Sequence, residues 1–196
     1  MALSAQTPRP KQETMADFLA IPAPERWHEF VDGRIVERAM PVSDHGHVQR
    51  KLGALLDRYD GPEGPDGSDG PGGWWLVVDV EVDFPRLGRR LRPDLTGWRR
   101  QALPSPPAPV ETQCPDWVCE VISPERRTWD TIEKRTYYAE AGVPYYWLID
   151  YERGTVTALK LQACQYIQLA EATRGDSIRL PPFPAVELPV SRLFLR

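Results

Sequence analysis

The pattern of apolar and polar positions predicts two main helices and one short one. Over residues 45–59 the apolar side chains recur every three or four positions, as they do on one face of an amphipathic helix. A second helix is predicted over residues 123–141, since Ser123 and Pro124 are typical N-cap and first helical residues. A short helix is predicted over residues 16–20.

Strands are predicted where apolar residues alternate with polar ones or form short continuous runs. Over residues 74–84 apolar side chains alternate with Asp79, Glu81 and Asp83, which indicates one strand with an acidic face. The sequence WVCEVI at 117–122 is almost continuously apolar and is typical of a buried strand. Further strands are predicted over residues 91–98, 145–150, 155–161 and 166–171.

Turn and loop residues organise these elements into one domain. Asp32 and Gly33 lie between two apolar-rich runs and predict a tight hairpin. Residues 60–73 are rich in Gly and Pro, which predicts a flexible loop within the domain. Residues 1–15 are predicted to be a flexible leader, and residues 16–196 a single domain of the α/β class.

Charge and cysteine content narrow the functional classes. The chain has 196 residues and a net charge of −4, which argues against general adhesion to nucleic acid. Residues 86–100 nevertheless carry six arginines and one acid, a net charge of +5 that is typical of a phosphate-binding surface. The three cysteines have no CxxC spacing, which predicts a reducing, cytoplasmic setting. No apolar run approaches the length of about 20 residues needed for a membrane span.

Glu120 is the first candidate functional residue, because its strand is otherwise apolar. An unpaired carboxylate is costly to remove from water, so Glu120 requires a cation, a metal ion or an open strand end. A purely structural pairing with an arginine is the alternative interpretation. Asp94, which follows Pro93, would form with Glu120 the oxygen-ligand pair that Mg²⁺ or Mn²⁺ prefers. Arginines such as Arg90 and Arg92 would then hold a polyanion over the ion.

Four further side chains are candidates on weaker local signals. Lys134 lies on the helix that leaves the Glu120 strand, where it would orient an attacking water; an exposed helical lysine is the alternative. Glu81 lies on the predicted acidic strand face, for which a solvated edge strand is the alternative. His45 would contact phosphate at the helix N-terminus or help to begin the helix, and Glu29 would reach a cleft from the hairpin or lie on an ordinary charged hairpin face. A zinc site is not expected, because the three histidines and the cysteines are not spaced for one.

The order of these residues resembles a known family, the Uma-two family within the PD-(D/E)XK nuclease superfamily. The resemblance implies a restriction-endonuclease-like fold, in which a mixed β-sheet is flanked by helices and preceded by an N-terminal hairpin. It is carried by EFVDG at 29–33, His45, Glu81, PD at 93–94, EVISP at 120–124, Asp130, Lys134 and AGVPYYWLID at 141–150.

The resemblance also implies the chemistry of the site. Asp94 and Glu120 are implied as metal ligands, with Glu81 as a further ligand and Lys134 as the catalytic lysine. Ile122 stands where the superfamily's E-x-K motif has its lysine, and similar proteins carry that lysine on the next helix. The implied products have 5′-phosphate and 3′-hydroxyl ends.

The leading hypothesis from the sequence is an endonuclease that depends on Mg²⁺ or Mn²⁺ and hydrolyses DNA phosphodiester bonds. DNA is the expected partner, no membrane is involved, and a homodimer is expected from the resemblance and from exposed strand edges. The missing lysine at Ile122 and the acidic net charge motivate an alternative, a catalytically inactive nuclease fold that binds nucleic acid or mediates oligomerisation. A metal-dependent hydrolase of another phosphate ester is the third hypothesis.

Overall fold

A computed structural model of the protein describes residues 12–40, 42–62 and 72–195. None of the helices in these ranges has the length and apolar character to cross a bilayer. The helices are α1 (Met15–Ala20), α2 (Ser43–Leu56) and α3 (Lys134–Ala141). The strands are β1 (His28–Val31), β2 (Arg34–Glu37), β3 (Trp74–Val78), β4 (Glu81–Phe84), β5 (Arg89–Leu91), β6 (Leu95–Arg99), β7 (Val110–Glu111), β8 (Trp117–Val121), β9 (Tyr145–Asp150), β10 (Thr155–Gln162), β11 (Gln165–Thr173), β12 (Ser177–Ile178) and β13 (Leu188–Pro189).

The strands form two mixed sheets and one separate pair. The five-stranded sheet has the order β2-β1-β5-β4-β7, in which only β4 and β7 are parallel. The six-stranded sheet has the order β11-β10-β9-β8-β6-β3, in which only β8 and β9 are parallel. Strands β12 and β13 pair with each other. Strand β8 therefore lies inside the larger sheet, between a parallel and an antiparallel neighbour.

Helices cover both faces of the six-stranded sheet around β8. Successive side chains of a strand point to opposite faces, so β8 contributes to two separate cores. Trp117 and Cys119 pack with Leu52 of α2 on one face. Val118 packs with Tyr138 of α3 on the other. Glu120 shares the α3 face, which is why its carboxylate meets side chains of α3.

The hairpin predicted at Asp32-Gly33 is confirmed. Strands β1 and β2 pair antiparallel, with Val31 opposite Arg34. Asp32 has a φ of 51° and Gly33 a φ of 72°, the left-handed conformations that a two-residue hairpin turn of type I′ requires at both positions. The hairpin brings Glu29 and the residues after β2 to the edge of the five-stranded sheet.

The single strand predicted over residues 74–84 is wrong, because the chain breaks at Asp79. Asp79 has a φ of 52°, which no strand residue adopts, and β3 and β4 belong to different sheets. The expected acidic face is absent as a consequence: Val78 is 55% exposed and Glu81 is buried. Alternation of side chains continues across such a break and does not reveal it.

The strand predicted over residues 91–98 divides in the same way. Strand β5 ends at Leu91 in the five-stranded sheet, and β6 begins at Leu95 in the six-stranded one. Pro93 has no N–H to donate to a ladder, which favours a break at this position. The backbone N of Asp79 donates to the carbonyl O of Asp94 at 3.3 Å, so both crossings between the sheets lie side by side.

The helix predicted over residues 123–141 is present only in its second half. A 3₁₀ turn (Pro124–Arg126) and a π-helical turn (Trp129–Glu133) precede α3, and the Ser123 side chain makes no capping hydrogen bond. In the π-helical turn the N–H of Lys134 bonds to the carbonyl of Trp129, five residues earlier. This spacing stacks the two residues on one side, so both face the same pocket.

The predicted leader and loop fall largely outside the described residues. Residues 1–11 of the predicted leader and 63–71 of the predicted loop lie there. Closer to the domain, the N–H of Glu13 bonds to the carbonyl of Gly33 at 2.9 Å, and Thr14 caps α1. The end of the predicted leader is therefore tied to the hairpin. The assignment of a single domain remains a prediction.

Replacing Gly97 with alanine is expected to destabilise the protein by about 1–3 kcal/mol, because β6 has no room for a methyl group. A Cβ at this position would lie 2.9 Å from Leu76 Cδ2 and 3.2 Å from Trp117 Cε3. Gly53 in α2 is the matched control, since a Cβ there meets nothing within 4 Å and alanine favours helix by roughly 0.5–1 kcal/mol. Urea unfolding of both variants measures the difference, and a Gly97→Ala protein as stable as Gly53→Ala would contradict the packing.

Candidate active site

Asp94 and Glu120 meet where the two sheets come together. Strands β6 and β8 pair antiparallel with Leu95 opposite Cys119, so the next position of that register places Asp94 opposite Glu120. The backbone N of Val121 donates to Asp94 Oδ2 at 2.7 Å, which fixes the aspartate against β8. The structure therefore brings together the two carboxylates predicted from the sequence.

These two carboxylates line a small cavity together with residues from four other parts of the chain. The space open to the centre of a water-sized sphere is about 30 Å³. Since roughly 10–15 Å³ by this measure holds one water, a single ion fits such a space. The lining residues are Glu29, Arg38, Ala39, His45, Asp94, Glu120, Val121, Ser123, Arg126, Trp129, Asp130 and Lys134.

Glu120 is buried and takes both of its hydrogen bonds at one oxygen. Lys134 Nζ donates to Glu120 Oε1 at 2.9 Å, and the Tyr138 hydroxyl donates to the same oxygen at 2.6 Å. Burial raises the pKa of Glu120 well above its ordinary value; the Lys134 ammonium opposes this shift, and neighbouring carboxylates add to it. The partner of Glu120 is thus a lysine, where the structural alternative from the sequence had an arginine.

Lys134 lies at the centre of the buried charges. It is only 3% exposed, and its Nζ lies 3.0 Å from Glu29 Oε1 and 4.0 Å from Asp130 Oδ1, in addition to Glu120. Burial alone would lower the pKa of Lys134, but the surrounding carboxylates, Glu120 first, raise it above its ordinary value. The alternative of an exposed helical lysine is therefore wrong, and the ammonium stays charged.

Asp94 is held as a carboxylate by two cationic or polar neighbours. Arg38 Nη2 donates to Asp94 Oδ1 at 3.0 Å, and His45 Nε2 lies 3.2 Å from the same oxygen. Burial acts to raise the pKa of Asp94, yet the hydrogen bond from His45 and the charge of Arg38 hold it below its ordinary value. Arg38 also pairs with Asp79 and stacks on the Trp27 ring. It follows β2 directly, so the hairpin places a cation in the site that the sequence did not predict.

Glu29 uses both of its oxygens within the protein. Oε1 accepts from the backbone N of Arg92 at 2.9 Å and lies 3.0 Å from Lys134 Nζ. Oε2 accepts from Trp129 Nε1 at 3.1 Å. These contacts tie β1 to the start of α3, and the predicted contact of Glu29 with substrate stays a prediction.

Three other predicted site residues lie outside the cavity. Glu81 Oε1 pairs with Arg92 and lies 3.5 Å from Arg26 Nε, and Glu81 Oε2 lies 3.7 Å from Arg90 Nη1. Arg90 also pairs with Asp83 at 3.1 Å. The structure therefore does not bring Glu81 to Asp94 and Glu120, and both Arg90 and Arg92 already pair with carboxylates of the fold.

The donor set of the cavity suits a divalent cation. Within the described ranges no group of three or more His, Cys, Asp or Glu side chains forms a ready-made metal site. Asp94 Oδ2 accepts one hydrogen bond and Glu120 Oε2 none from the described residues, so each retains an oxygen with acceptor capacity. Two carboxylates completed by water and substrate oxygens are the usual protein contribution to a Mg²⁺ site.

The electrostatics of the cavity support the same conclusion. Four buried acids line the cavity with three cations, Arg38, Lys134 and the half-buried Arg126, so the formal negative charge is in excess by one. Burial, together with the nearby carboxylates, raises the pKa of Asp130 to about 7, although Lys134 acts to lower it. A cation between Asp94 and Glu120 would offset this excess. No sequence signal other than its place in the family motif pointed to Asp130.

Comparisons with known proteins show the family and the fold of the chain. A family model named Uma2, described as "Putative restriction endonuclease", matches residues 15–191. No curated protein matches the chain. A crystal structure from Anabaena variabilis, described as "a putative nuclease belonging to DUF820", superposes with a TM-score of 0.72 at 19% sequence identity. The match covers 92% of this chain and 97% of that one, and confirms the predicted mixed α/β fold. Because the family model spans nearly the whole chain, the protein belongs to the Uma2 family.

Proposed function

We propose that this protein is a nuclease that uses Mg²⁺ or Mn²⁺ to hydrolyse phosphodiester bonds in DNA. One observation carries the proposal: Asp94, directly before β6, and Glu120 on β8 line the same cavity, with Lys134 bonded to Glu120. Two carboxylates with free oxygens and one fixed ammonium are the groups that metal-assisted phosphodiester hydrolysis requires.

Asp94 and Glu120 would hold the metal through the oxygens that the protein leaves available. A bound divalent ion supplies Lewis-acid activation of water and neutralises charge on the phosphate. Arg38 and His45 hold Asp94 ionised and in place, while Tyr138 orients Glu120.

Lys134 acts in this proposal as a fixed positive charge. Since neighbouring carboxylates raise its pKa, it keeps its proton and does not serve as a general base. Its remaining N–H is available to orient the attacking water or to stabilise charge that develops on the phosphate. In this proposal the scissile phosphate lies at the mouth of the cavity.

A plasmid-cleavage assay across divalent metals tests the proposal. We expect nicking or linearisation with Mg²⁺ or Mn²⁺, none with EDTA, and products that carry 5′-phosphate ends. A Glu120→Gln protein purified in the same way controls for contaminating nucleases. Cleavage that survives in EDTA, or that the variant retains in full, would exclude a metal-dependent nuclease at this site.

Isothermal calorimetry separates the nuclease from the alternative of an inactive binding module. Heat of Mg²⁺ or Mn²⁺ binding that disappears in Glu120→Gln supports the nuclease, and the absence of such heat supports the module. Substrate contacts by Arg90, Arg92, His45 and Glu29 remain predictions, as do Glu81 as a metal ligand, the homodimer and the cytoplasmic location.

A further inference from the structure

Arg126 differs from the other cations of the cavity in having no partner. Arg38 is held by two carboxylates and Lys134 by three. The Arg126 side chain lines the same cavity and is half-buried. Across residues 12–40, 42–62 and 72–195 it makes no hydrogen bond, ion pair or ring contact. A cation held close to buried carboxylates without pairing to any of them is available to a ligand.

The backbone around Arg126 is nevertheless well anchored. Arg126 ends the 3₁₀ turn that follows β8, and its N–H bonds to the carbonyl of Ser123 at 3.1 Å. The backbone N of Ser123 bonds in turn to Asp130 at 3.4 Å. Arg127, the next residue, forms an ion pair with Asp150. The turn therefore fixes the Cα of Arg126 at the cavity while leaving its guanidinium free.

The chemistry of the free guanidinium indicates the ligand. Arginine offers five N–H donors in a planar fork that matches two oxygens of a phosphate, and such charge-assisted bonds are stronger than neutral ones. A neutral ligand would leave the charge unpaired, and a carboxylate is already close by without pairing to it. We infer that Arg126 binds a phosphate group of the nucleic-acid backbone at the mouth of the cavity, beside Asp94 and Glu120.

This inference rests on the proposed nuclease function and adds a substrate-binding residue that the sequence did not indicate. The basic segment at residues 86–100 was the predicted phosphate contact, but Arg92 pairs with the buried Glu81, and Arg90 pairs with Asp83 and Glu81. A phosphate would have to compete with those carboxylates, whereas at Arg126 it meets no internal competitor among the described residues. The unpaired arginine is therefore the better phosphate ligand.

DNA binding measured without cleavage tests the role of Arg126. The proteins are Glu120→Gln chains, kept in Ca²⁺ so that a short fluorescein-labelled duplex stays intact, and fluorescence anisotropy gives Kd at several salt concentrations. Adding Arg126→Ala is expected to raise Kd by about 10- to 100-fold and to lower the salt slope by about one. Arg126→Lys should recover part of the affinity. Arg192→Ala, at an exposed arginine in the C-terminal 3₁₀ turn, is the matched control and should leave Kd unchanged.

The outcomes separate this inference from the proposed function. Equal Kd values for Arg126→Ala and Arg192→Ala, or no binding by the parent chain at low salt, would overturn the role of Arg126, while plasmid cleavage still decides whether the protein is a nuclease. The converse result is no cleavage by the wild-type chain with any of the divalent metals, while binding still depends on Arg126. That result would keep this inference and reject the proposed nuclease activity. Thermal melting should show equal stability of all four chains, because the Arg126 side chain has no hydrogen bond or ion pair to lose among the described residues.

Discussion

Glu120→Gln is expected to reduce metal-dependent cleavage by about 1,000-fold or more, which corresponds to the several kcal/mol of transition-state stabilisation that a catalytic metal supplies. The exchange removes the charge of one metal-holding carboxylate and changes little else. Glutamine keeps an oxygen at Oε1, where Lys134 and Tyr138 both donate. The amide nitrogen replaces Oε2, to which no described residue donates.

Asp94→Asn is expected to abolish cleavage equally but at a cost in stability. Asp94 accepts hydrogen bonds at both oxygens, from Arg38 and from the backbone of Val121, so an amide NH₂ must face one of these donors. An unsatisfied buried donor costs about 1–3 kcal/mol. Glu120→Gln is therefore the cleaner test of chemistry, since its loss of activity should come with an unchanged melting temperature.

The control for both variants is the same type of substitution at an acid outside the cavity. Glu171→Gln on the exposed side of β11 makes the same chemical change far from the site and should cleave like the wild type. Single-turnover rates with saturating Mg²⁺ measure all three variants. Cleavage by Glu120→Gln at the rate of Glu171→Gln would show that the buried carboxylate has no part in the chemistry.

Lys134→Met is expected to be the most destabilising single change in the site, by about 3–5 kcal/mol at neutral pH. The substitution leaves Glu120 and Glu29 buried at a position where their shared cation has been removed. The deficit should grow as pH rises. Burial keeps the folded pKa of Glu120 above its unfolded value, so the folded state binds more protons and loses stability as the unfolded carboxyl ionises.

Two comparisons show whether this loss comes from the buried charge. Lys160→Met removes a lysine at the six-stranded sheet whose Nζ lies 5.9 Å from the Tyr145 ring, and should cost less than about 1 kcal/mol. The double variant Lys134→Met/Glu120→Gln should be less destabilised than the sum of its single changes, because one of the two uncompensated charges is gone. Urea unfolding measures each protein, and strict additivity in the double variant would refute the proposed coupling.

The site shows how far local patterns predict chemistry. A carboxylate inside the apolar run WVCEVI predicts a buried acid that needs a partner, and Glu120 is indeed buried. The residues next to Glu120 along the chain are enough to predict that its carboxylate is buried. The sequence therefore also predicts the free-energy cost of leaving that carboxylate unpaired. Which partner neutralises the charge depends on a lysine 14 positions away, and no local pattern distinguishes that lysine from an exposed one.

The basic segment shows the opposite case. Six arginines in residues 86–100 predict a positive surface, but the fold places Arg89 beside Asp32 and Glu140, and Arg90 and Arg92 around Glu81. The net charge of a segment is the sum over its own residues. The electrostatic potential at the surface of the fold also depends on which acids from other segments lie close to it. Arg126 lies outside the segment and is the unpaired one at the cavity.

By itself the sequence determined the hairpin, the amphipathic helix α2, the buried strand β8 and the likeness to a nuclease family. Each depends on interactions between residues close along the chain or on a motif read in order. Only the tertiary structure decided that the chain crosses between two sheets at Asp79 and Pro93, that Asp94 lies opposite Glu120, and that Lys134 is enclosed. These are contacts between distant segments, and their energies depend on burial and on neighbours that alternation and spacing do not encode.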